Sequence, residues 1–446
     1  MTSLWCEQVL FRGLLESGVR FVTGTDGRIV SRQAGVVAEP GDARVGFVVP
    51  GFANAHSHLF HRVLRGRTHD SGGDFWAWRE QMYGVAAVLD PDSYRELATA
   101  VFGEMLANGY TAVGEFHYLH HQRSGRAYDD HDMELALADA AATVGIRLTL
   151  LDTCYLAGGV GQPLSAEQAR FGDGDAAGWL ARWYALRERL VERADPLVTL
   201  GAAIHSVRAV PAEAIAEIVA GLPADVPLHI HLSEQPRENS ESLTAYDATP
   251  TALIAGLGVL ASRLSVVHAT HLTGDDIRLL GDAGVNVVMC PTTEADLGDG
   301  IGPARALADA GASITLGSDQ NAVIDPLLEL RGLEAGERLA SGERGRFSPA
   351  ELLDAATTAG YRSLGLGAAA LAVGDPLDLV EIDMESARTA GSRPEQVGLV
   401  ATGSDVLSVW VAGARVAHRE SGGIVAVSGI DSLSHLYRRV LKKTSR

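Results

Sequence analysis

The sequence predicts an α/β fold, a (β/α)8 TIM barrel joined to a small β-sandwich domain, and three observations support this prediction. First, from Val45 onward, short β-branched runs alternate with amphipathic or alanine-rich stretches of helical length, as in βα units around a parallel sheet. Second, there are eight such runs, and eight strands close a barrel. Third, most runs begin apolar and end in His, Cys, Asp or Glu, and barrels carry their functional residues at the carboxyl ends of strands.

The eight runs define a predicted barrel domain over residues 46–369. They begin near Gly46, Thr111, Ile146, Leu197, Pro227, Leu264, Asn286 and Ser313. A doubly wound open sheet is the alternative, but eight polar-ended strands favour closure because their ends then surround one cavity.

The two chain ends have a different pattern. Strand-like pieces separated by Gly, Pro and Asp turns occur there, such as RFVTGT, RIVSRQ, DLVEI and DVLSVWVAGARVAH. We therefore predict one β-sandwich formed by residues 1–45 and 370–430. A small-residue run near Leu366 leads from the barrel to this domain, and residues 431–446 are predicted to form a C-terminal helix or tail.

Composition limits the partners of the chain. Its 446 residues are 46% hydrophobic and 21% charged, which is typical of a soluble globular protein. The formal net charge of -19 disfavours nucleic acid and anionic membranes, so local arginines would have to hold any anionic substrate. We find no signal peptide and no apolar run long enough for a membrane span, so the expected location is cytoplasmic.

The cysteine and lysine positions exclude several chemistries. The three cysteines, Cys6, Cys154 and Cys290, lie far apart, so neither a disulfide framework nor a thiolate zinc cluster is indicated. The chain contains two lysines, Lys442 and Lys443, both near the C-terminus. A lysine Schiff base, a P-loop lysine and a lysine bridging two metals are therefore all excluded from the predicted barrel.

Histidines at strand ends predict a metal site. His56 and His58 follow the first run, and alternate residues of an extended chain share a face, so both imidazoles can reach one ion. His268 ends the sixth run and Asp319 ends the eighth. Such a pair alone is weak evidence, but three imidazoles and one carboxylate around a cavity match a catalytic zinc site with one position left for water.

A second pair, His229 and His231, ends the fifth run, and both side chains point to the same face. Spacing alone therefore does not settle which of the histidines are ligands. We favour His231 since it lies nearer the strand end. The remaining nearby histidines are predicted to be structural or to lie at the rim, namely His117, His120, His121 and His271.

Zinc lowers the pKa of bound water from about 15.7 to about 7 and thus supplies a nucleophile at neutral pH. A proton carrier is still required, and we predict Glu234, three residues after His231 in HLSE. The alternative role for Glu234 is a helix-start carboxylate that stabilises the next helix dipole. His268 and Asp319 are predicted to polarise the nucleophile.

The motifs FANAHSH, HLSE, VHATHL and GSD resemble those of the amidohydrolase superfamily, and the match spans nearly the whole chain. This resemblance implies a (β/α)8 barrel with an appended β-sandwich. It also implies the ligands of the mononuclear branch at His56, His58, His231 and Asp319. The implied cofactor is one Zn²⁺ per chain, with Fe²⁺ or another divalent metal as the alternative. The binuclear branch commonly needs a barrel lysine that this chain lacks.

A closer resemblance is to the formimidoylglutamate deiminase family of histidine breakdown. The stretches that carry it are GGDFWAWREQMY, GEFHYLHH, HSVRAV, HLSEQPREN and CPTTEADLGDGI. It implies that Arg79, Tyr118 and Arg208 bind the two carboxylates of a glutamate substrate and that His205 contacts its formimino group. Guanidinium groups suit this role because they bind carboxylates bidentately.

Two points in this closer resemblance leave alternatives open. The first alternative is structural. In it, a lid after the first strand is packed by Trp76, Trp78 and Tyr83, and Arg79 is a solvated charge on that lid. The second point concerns His61, because the family has a Gln at this position. His61 either hydrogen-bonds the formimino group as the Gln would, or acts as an acid toward departing ammonia, or marks a branch of the family that accepts a related amidine.

The predicted reaction is hydrolysis of N-formimidoyl-L-glutamate to N-formyl-L-glutamate and ammonia, with His205 and His268 stabilising the tetrahedral intermediate. One rival is an aminohydrolase of the same architecture acting on a purine, pyrimidine or guanidine ring. A catalytically inactive scaffold barrel is the rival from another class, but all four ligand candidates and Glu234 are present. The partner expected is a small acidic amidine, and the family resemblance implies a homodimer.

Overall fold

The structure is a computed structural model that describes residues 2–68, 75–420, 423–426 and 438. The side chains of residues 75–77 and 423–426, including that of Trp76, lie outside this description. Apart from residue 438, so does the C-terminal helix or tail predicted over 431–446.

Strands of the described residues form two sheets of eight strands each. In chain order they are β1 Ser3–Phe11, β2 Leu14–Thr23, β3 Ile29–Gln33, β4 Ala43–Pro50, β5 Phe52–Ser57, β6 Tyr110–His117, β7 Arg147–Cys154, β8 Val198–Ile204, β9 Leu228–Leu232, β10 Leu264–His268, β11 Asn286–Met289, β12 Ser313–Leu316, β13 Leu379–Ile382, β14 Val406–Val411, β15 Ala414–Glu420 and β16 Gly423–Ala426.

Helices follow most barrel strands, and several begin at a side-chain cap. Asp90, Thr273 and Ser348 each form a capping box with the third residue of their helix. The helices are α1 Phe75–Ala86, α2 Pro91–Ala107, α3 Asp132–Val144, α4 Ala176–Arg193, α5 Ala212–Gly221, α6 Pro236–Tyr246, α7 Pro250–Gly256, α8 Gly274–Asp282, α9 Pro291–Leu297, α10 Ala304–Ala310, α11 Pro326–Ser341, α12 Pro349–Ala356, α13 Thr358–Ser363 and α14 Val397–Val400, with 3-10 turns at Leu59–Leu64, Pro394–Gln396 and Gly403–Asp405. None of the described helices is long and apolar enough to cross a membrane.

The first sheet is the predicted barrel. Strands β5 to β12 are parallel and pair in chain order. The last strand meets the first through a bridge between Ser57 and Asp319. Gly317 permits this approach, because a Cβ there would lie 2.8 Å from the Cβ of His56. The eight-stranded α/β barrel is therefore confirmed, and its strand ends surround one cavity.

The first predicted run is in fact divided between the two sheets. Strand β4 continues to Pro50 and pairs with β1 and β13, whereas β5 begins at Phe52 in the barrel. Between them, Gly51 packs so closely on Thr111 that a Cβ would clash with its side chain. The boundary predicted at residue 45 thus lies inside β4. The apolar character of the run concealed the break, because both of its halves are buried.

The second sheet comes from both chain ends, as predicted for the small domain. Its strands form one hydrogen-bonded sheet in the order β16-β15-β14-β13-β4-β1-β2-β3. The two ends of the chain join where β13 pairs antiparallel with β4. This sheet has its own buried cluster, which includes Leu4, Phe21, Val48 and Leu379.

One buried carboxylate joins this sheet to the N-terminal end of the barrel. Asp378 accepts hydrogen bonds from Arg147 at the start of β7 (3.0 Å from Nη2), from the Tyr361 hydroxyl of α13 (2.7 Å) and from the Ala412 amide (2.7 Å). The Tyr361 hydroxyl also lies 2.7 Å from Thr111 Oγ1 in β6. All the side chains of this network are buried, so the barrel floor and the second sheet share one set of polar contacts.

Candidate metal centre and active-site cavity

Four buried side chains converge at the C-terminal end of the barrel. The Nε2 atom of His231 lies 3.1 Å from Nε2 of His56 and 3.2 Å from Nε2 of His58. An Asp319 carboxylate oxygen lies 3.3 Å from Nε2 of His56 and 3.5 Å from Nε2 of His58. One ligand atom from each residue falls within 4.8 Å of the others, so one ion can contact all four.

Backbone hydrogen bonds orient two of these imidazoles. Nδ1 of His58 lies 3.0 Å from the carbonyl oxygen of Phe116, and Nδ1 of His231 lies 2.9 Å from that of His205. A carbonyl can only accept, so each Nδ1 carries the proton and each Nε2 carries a lone pair. Burial lowers the pKa of His58 and of His231 well below the usual range, which keeps both rings neutral.

The resulting set of atoms fits a divalent metal. Neutral imidazole lone pairs that face one another at hydrogen-bond distance have no proton to share, and a cation would satisfy them. Burial opposes ionisation of Asp319, but its hydrogen bond to His56 and the nearby imidazoles lower its pKa below the usual range. Three nitrogens and one carboxylate oxygen suit a metal of borderline softness.

A second buried network braces these residues from behind. Ser57, the last residue of β5, lies between His56 and His58 in the sequence, and its hydroxyl lies 2.7 Å from Glu115. Glu115 also accepts from the Leu59 amide at 2.8 Å. Asn321 donates to Ser57 Oγ at 3.1 Å and to the Asp319 carbonyl at 3.0 Å. Burial raises the pKa of Glu115 to about 8. The first and last barrel strands are therefore tied together next to the candidate ligands.

Only one histidine of β9 joins this cluster. Nε2 of His229 lies 3.0 Å from the carbonyl oxygen of Ser363 in α13, at the opposite end of the barrel. His231 lies two residues further along the strand and reaches the other candidate ligands. Because both side chains face the barrel interior, depth along the strand decides which of them approaches the metal position.

Glu234 and His268 stand beside the four candidate ligands. Nε2 of His268 lies 3.7 Å from Glu234 and 3.9 Å from Asp319, and its Nδ1 lies 3.4 Å from Glu294. Burial disfavours the imidazolium, but these three carboxylates raise the pKa of His268 to about 10. Glu234 precedes α6, and the acidic residue in the first turn of that helix is Glu238. A helix-start role for Glu234 is therefore less well supported than a position in the cavity.

A cavity of about 620 Å³ opens above the candidate ligands. Most of the residues predicted to act in catalysis, substrate binding or metal binding line it, namely His58, His61, Arg79, Tyr118, His205, Arg208, His231, Glu234, His268 and Asp319. His56 lies beneath this lining and is fully buried. The structure thus brings the candidate metal ligands and the candidate carboxylate-binding residues to one cavity.

Arg79 reaches the cavity from α1, the helix after the first strand. Its Nε donates to the Tyr83 hydroxyl at 2.6 Å. The buried Gln168 amide donates to Tyr83 at 3.0 Å and to the Tyr155 hydroxyl at 2.9 Å. Arg79 is therefore part of a hydrogen-bonded array and lines the cavity, in contrast to the alternative of a solvated charge.

His61 and Tyr118 form the wall between the candidate ligands and α1. Nε2 of His61 lies 3.0 Å from the Tyr118 hydroxyl, and its ring packs edge-on against Trp78 at 4.9 Å. Burial lowers the pKa of His61 to about 3. A neutral imidazole does not supply an acidic proton near pH 7, so the geometry favours hydrogen bonding over the acid alternative.

Arg208 lies between two carboxylates. Its Nη2 is 3.4 Å from Glu234, and its Nε is 3.4 Å from Glu238. Burial raises the pKa of Glu238, and the positive charge of Arg208 opposes that rise. All three side chains are largely buried. The candidate carboxylate-binding residue Arg208 is therefore a direct neighbour of the candidate proton carrier Glu234.

Three contributing residues were missed from the sequence. Glu238 follows Glu234 by four residues, but an acid at a helix start is commonly interpreted as dipole compensation. Tyr155 directly follows the third barrel strand, where a polar side chain is a usable signal of function. Gln168 lies in the long segment between β7 and α4 and has no motif that marks it.

The other histidines near β6 belong to a separate buried network. Nδ1 of His120 lies 2.8 Å from Glu134, and its Nε2 lies 2.8 Å from the Thr153 carbonyl. Nε2 of His117 lies 3.4 Å from Glu134, so these three side chains also form a possible ligand group. However, Arg182 already contacts Glu134 at 3.1 Å and supplies the positive charge there. A structural role, as predicted, accounts for this network.

The model of the amidohydrolase family matches residues 47–416. Formimidoylglutamate deiminase of Pseudomonas aeruginosa is 35% identical over 395 residues, which cover 86% of each chain. A 5-methylthioadenosine/S-adenosylhomocysteine deaminase of Halobacterium salinarum is 27% identical, again over 86% of each chain. A crystal structure of an amidohydrolase from Brucella melitensis superposes with a TM-score of 0.91 at 30% identity and covers each chain completely.

These similarities extend over the barrel, the second sheet and the residues of the cavity. The family match alone spans residues 47–416, which include all four candidate ligands, and the Brucella melitensis structure covers the whole chain. The chain therefore belongs to the amidohydrolase family, and it is a hydrolase of carbon–nitrogen bonds.

Proposed function

We propose that this protein hydrolyses N-formimidoyl-L-glutamate to N-formyl-L-glutamate and ammonia, as a step of histidine breakdown. One observation carries the proposal: two arginines, Arg79 and Arg208, line the same cavity as the candidate metal ligands. Guanidinium groups bind carboxylates, and the substrate has two. The 35% identity with a formimidoylglutamate deiminase supports the same substrate.

The proposed cofactor is one divalent metal, Zn²⁺ or alternatively Fe²⁺, held by His56, His58, His231 and Asp319. Three neutral imidazoles and one carboxylate suit zinc in both number and softness. When bound, such a metal lowers the pKa of water and so supplies a nucleophile at neutral pH.

Glu234 is the proposed proton carrier. Water adds through oxygen to the amidine carbon, and Glu234 accepts the proton that the water loses. Glu234 passes this proton to the imine nitrogen, then accepts the second proton from the new hydroxyl group and delivers it to the resulting amino group. The carbon–nitrogen bond breaks, ammonia departs and the oxygen remains as the formyl carbonyl. His268, 3.7 Å from Glu234, carries a positive charge that would stabilise the developing oxyanion.

The remaining cavity residues position the substrate. Arg79 and Arg208 would each hold a carboxylate, and Tyr118 would donate a hydrogen bond. His205 and His61 would contact the formimino group, with His61 in the place of the glutamine that the related family has. Because the pKa of His61 is lowered to about 3, we assign it a hydrogen-bonding role.

A ring aminohydrolase is the second candidate, since the Halobacterium salinarum relative is named as a deaminase of 5-methylthioadenosine and S-adenosylhomocysteine. A cavity of about 620 Å³ has room for a nucleoside. Arg79 and Arg208 in the lining disfavour an uncharged ring as the preferred substrate.

The test is ammonia release by the zinc-loaded full-length protein. N-formimidoyl-L-glutamate is compared with N-formimidoyl-L-aspartate, guanine and 5-methylthioadenosine, and each is assayed with wild type and Arg208→Met. We expect fast turnover of the glutamate compound and a loss of roughly 30-fold or more in kcat/KM in the variant, since removing one partner of a buried charge contact costs ~2–5 kcal/mol.

Other outcomes distinguish the rivals. Turnover of a ring substrate without turnover of the glutamate compound would keep the hydrolase chemistry and reject the substrate. A protein that purifies without metal and stays inactive after zinc loading would support the scaffold alternative. Gel filtration tests the proposed homodimer separately.

A further inference from the structure

Glu238 is a buried carboxylate that no step of the proposed reaction uses. It lies in the first turn of α6, and its side chain is fully shielded from solvent. Within the described residues its ionic contact is with Arg208, at 3.4 Å from Nε to Oε2. The neighbouring Glu234 carboxylate opposes ionisation of Glu238, whereas Arg208 and the Ser233 and Glu234 backbone amides favour it. Burial of a carboxylate is costly unless it is paired, so this position requires a reason.

The geometry around Arg208 suggests that reason. Glu238 contacts the Nε edge of the guanidinium, and Glu234 contacts Nη2 from the other side. Both distances are 3.4 Å, which is longer than the ~2.8 Å typical of a two-point guanidinium–carboxylate pair. The Arg208 guanidinium thus lies between two carboxylates and forms a close two-point pair with neither of them.

We propose that Glu238 is a positioning residue that holds Arg208 toward the substrate carboxylate and prevents it from pairing closely with Glu234. Glu234 then remains available to its other neighbour, His268, at 3.7 Å. This inference rests on the proposed function, because it takes Arg208 as a carboxylate-binding residue and Glu234 as the proton carrier.

A loss of Glu238 has two consequences that follow from charge alone. Arg208 keeps one carboxylate partner, Glu234, and an opposite charge within reach in a buried site attracts it strongly. The substrate carboxylate then competes with Glu234 for the guanidinium, so KM rises. The proton carrier is also drawn into an ion pair, so kcat falls.

The experiment is a double-mutant cycle with Glu238→Gln and Arg208→Met in the zinc-loaded full-length protein, read as kcat and KM for N-formimidoyl-L-glutamate. In the presence of Arg208, we expect Glu238→Gln to lower kcat/KM about tenfold to a hundredfold, the size of a hydrogen bond to a charged group. In the Arg208→Met background we expect a change of less than about threefold, because the two residues act through each other.

Three controls separate positioning from a general structural effect. Glu213→Gln changes an exposed acid in the first turn of α5 and should leave kcat/KM unchanged. Glu238→Asp keeps the charge and should retain more activity than Glu238→Gln. Metal content and the thermal unfolding midpoint are measured for every variant, and Glu238→Asp serves for the cycle if Glu238→Gln does not fold.

The outcomes are distinct. Equal losses from Glu238→Gln with and without Arg208, or no loss in either case, would overturn the positioning role while leaving the proposed function intact. If wild type does not turn over the glutamate compound, the proposed function fails, and the same cycle is measured on the dissociation constant of L-glutamate. Coupling there supports the role of Glu238 in carboxylate binding, and absence of coupling or of binding overturns it.

Discussion

The two ends of the barrel both bury charged side chains, but they satisfy them in opposite ways. At the N-terminal end, the Asp378 carboxylate accepts from Arg147, Tyr361 and the Ala412 amide, and the Tyr361 hydroxyl is itself paired with Thr111. Every charge there has a protein partner. Such a network contributes to stability and leaves nothing for a ligand.

At the C-terminal end, the Nε2 lone pairs of His58 and His231 face each other with no proton between them. Nε2 of His231 faces those of His56 and His58 at 3.1 and 3.2 Å. Burial of charge therefore does not by itself mark a functional site. What marks it is a group of donor atoms that the protein orients and leaves without a protein partner of the right kind.

The sharpest test of the C-terminal end compares two histidines of one strand. His231→Asn should abolish metal binding and activity, because it removes one of four ligands, whereas His229→Asn should retain the metal and lose stability through its contact with Ser363. Metal content by elemental analysis is the measurement. Retained metal in His231→Asn together with lost metal in His229→Asn would reverse the assignment.

The next largest effect is expected from the proton carrier. Glu234→Gln keeps the shape of the side chain but removes its basicity, so kcat should fall roughly 10²- to 10⁴-fold while the metal stays bound. The measurement is kcat with N-formimidoyl-L-glutamate alongside metal content. A variant with more than about a tenth of the wild-type kcat would exclude the assigned role.

At the N-terminal end, Asp378→Asn should destabilise the protein without affecting catalysis. Breaking a buried ion pair costs ~3–5 kcal/mol, and Arg147 would be left without its charge partner. Urea denaturation gives the free energy of unfolding, and kcat per folded molecule should match wild type. Asp275→Asn, at an exposed Asp275–Arg278 pair, is the matched control with little expected change. A lower kcat per folded molecule in Asp378→Asn would show that the network at the N-terminal end also affects catalysis, and would contradict this prediction.

The smallest effect is expected from the array that holds Arg79. Gln168→Leu removes the amide that donates to Tyr83 and Tyr155, so the support of Arg79 loosens. One hydrogen bond is worth ~1 kcal/mol, so we expect a rise in KM of about fivefold with kcat nearly unchanged. Gln33→Leu, at an exposed position of the second sheet, is the control. An unchanged KM in Gln168→Leu would mean that Arg79 needs no such support.

Much of this architecture follows from local sequence signals. The eight β-branched runs predicted the eight barrel strands, because the periodicity of a strand or a helix is visible within a short stretch of sequence. The polar residues that end these runs predicted the candidate ligands, because parallel strands bring their carboxyl ends to the same edge. The structure brings four of them together within 4.8 Å.

The errors share a different cause. The first run was assigned to one strand, although Gly51 divides it between two sheets, since both halves are equally apolar. The sequence predicted that both chain ends contribute to one small domain, but it did not reveal that β4 and β13 pair with each other there. Edge pairing between distant segments has no local pattern.

The sequence by itself determined the barrel, the order of its strands and the side chains available at their ends. The sequence favoured His231 over His229 from its place along the strand, and packing sets their different partners. Packing alone sets which carboxylates flank Arg208. It also decided that Gln168 contacts Tyr83, 85 residues away, and that Arg147 contacts Asp378, 231 residues away. The physical reason is that periodicity is a property of neighbours along the chain, whereas the partner of a buried polar group is set by how the whole chain packs.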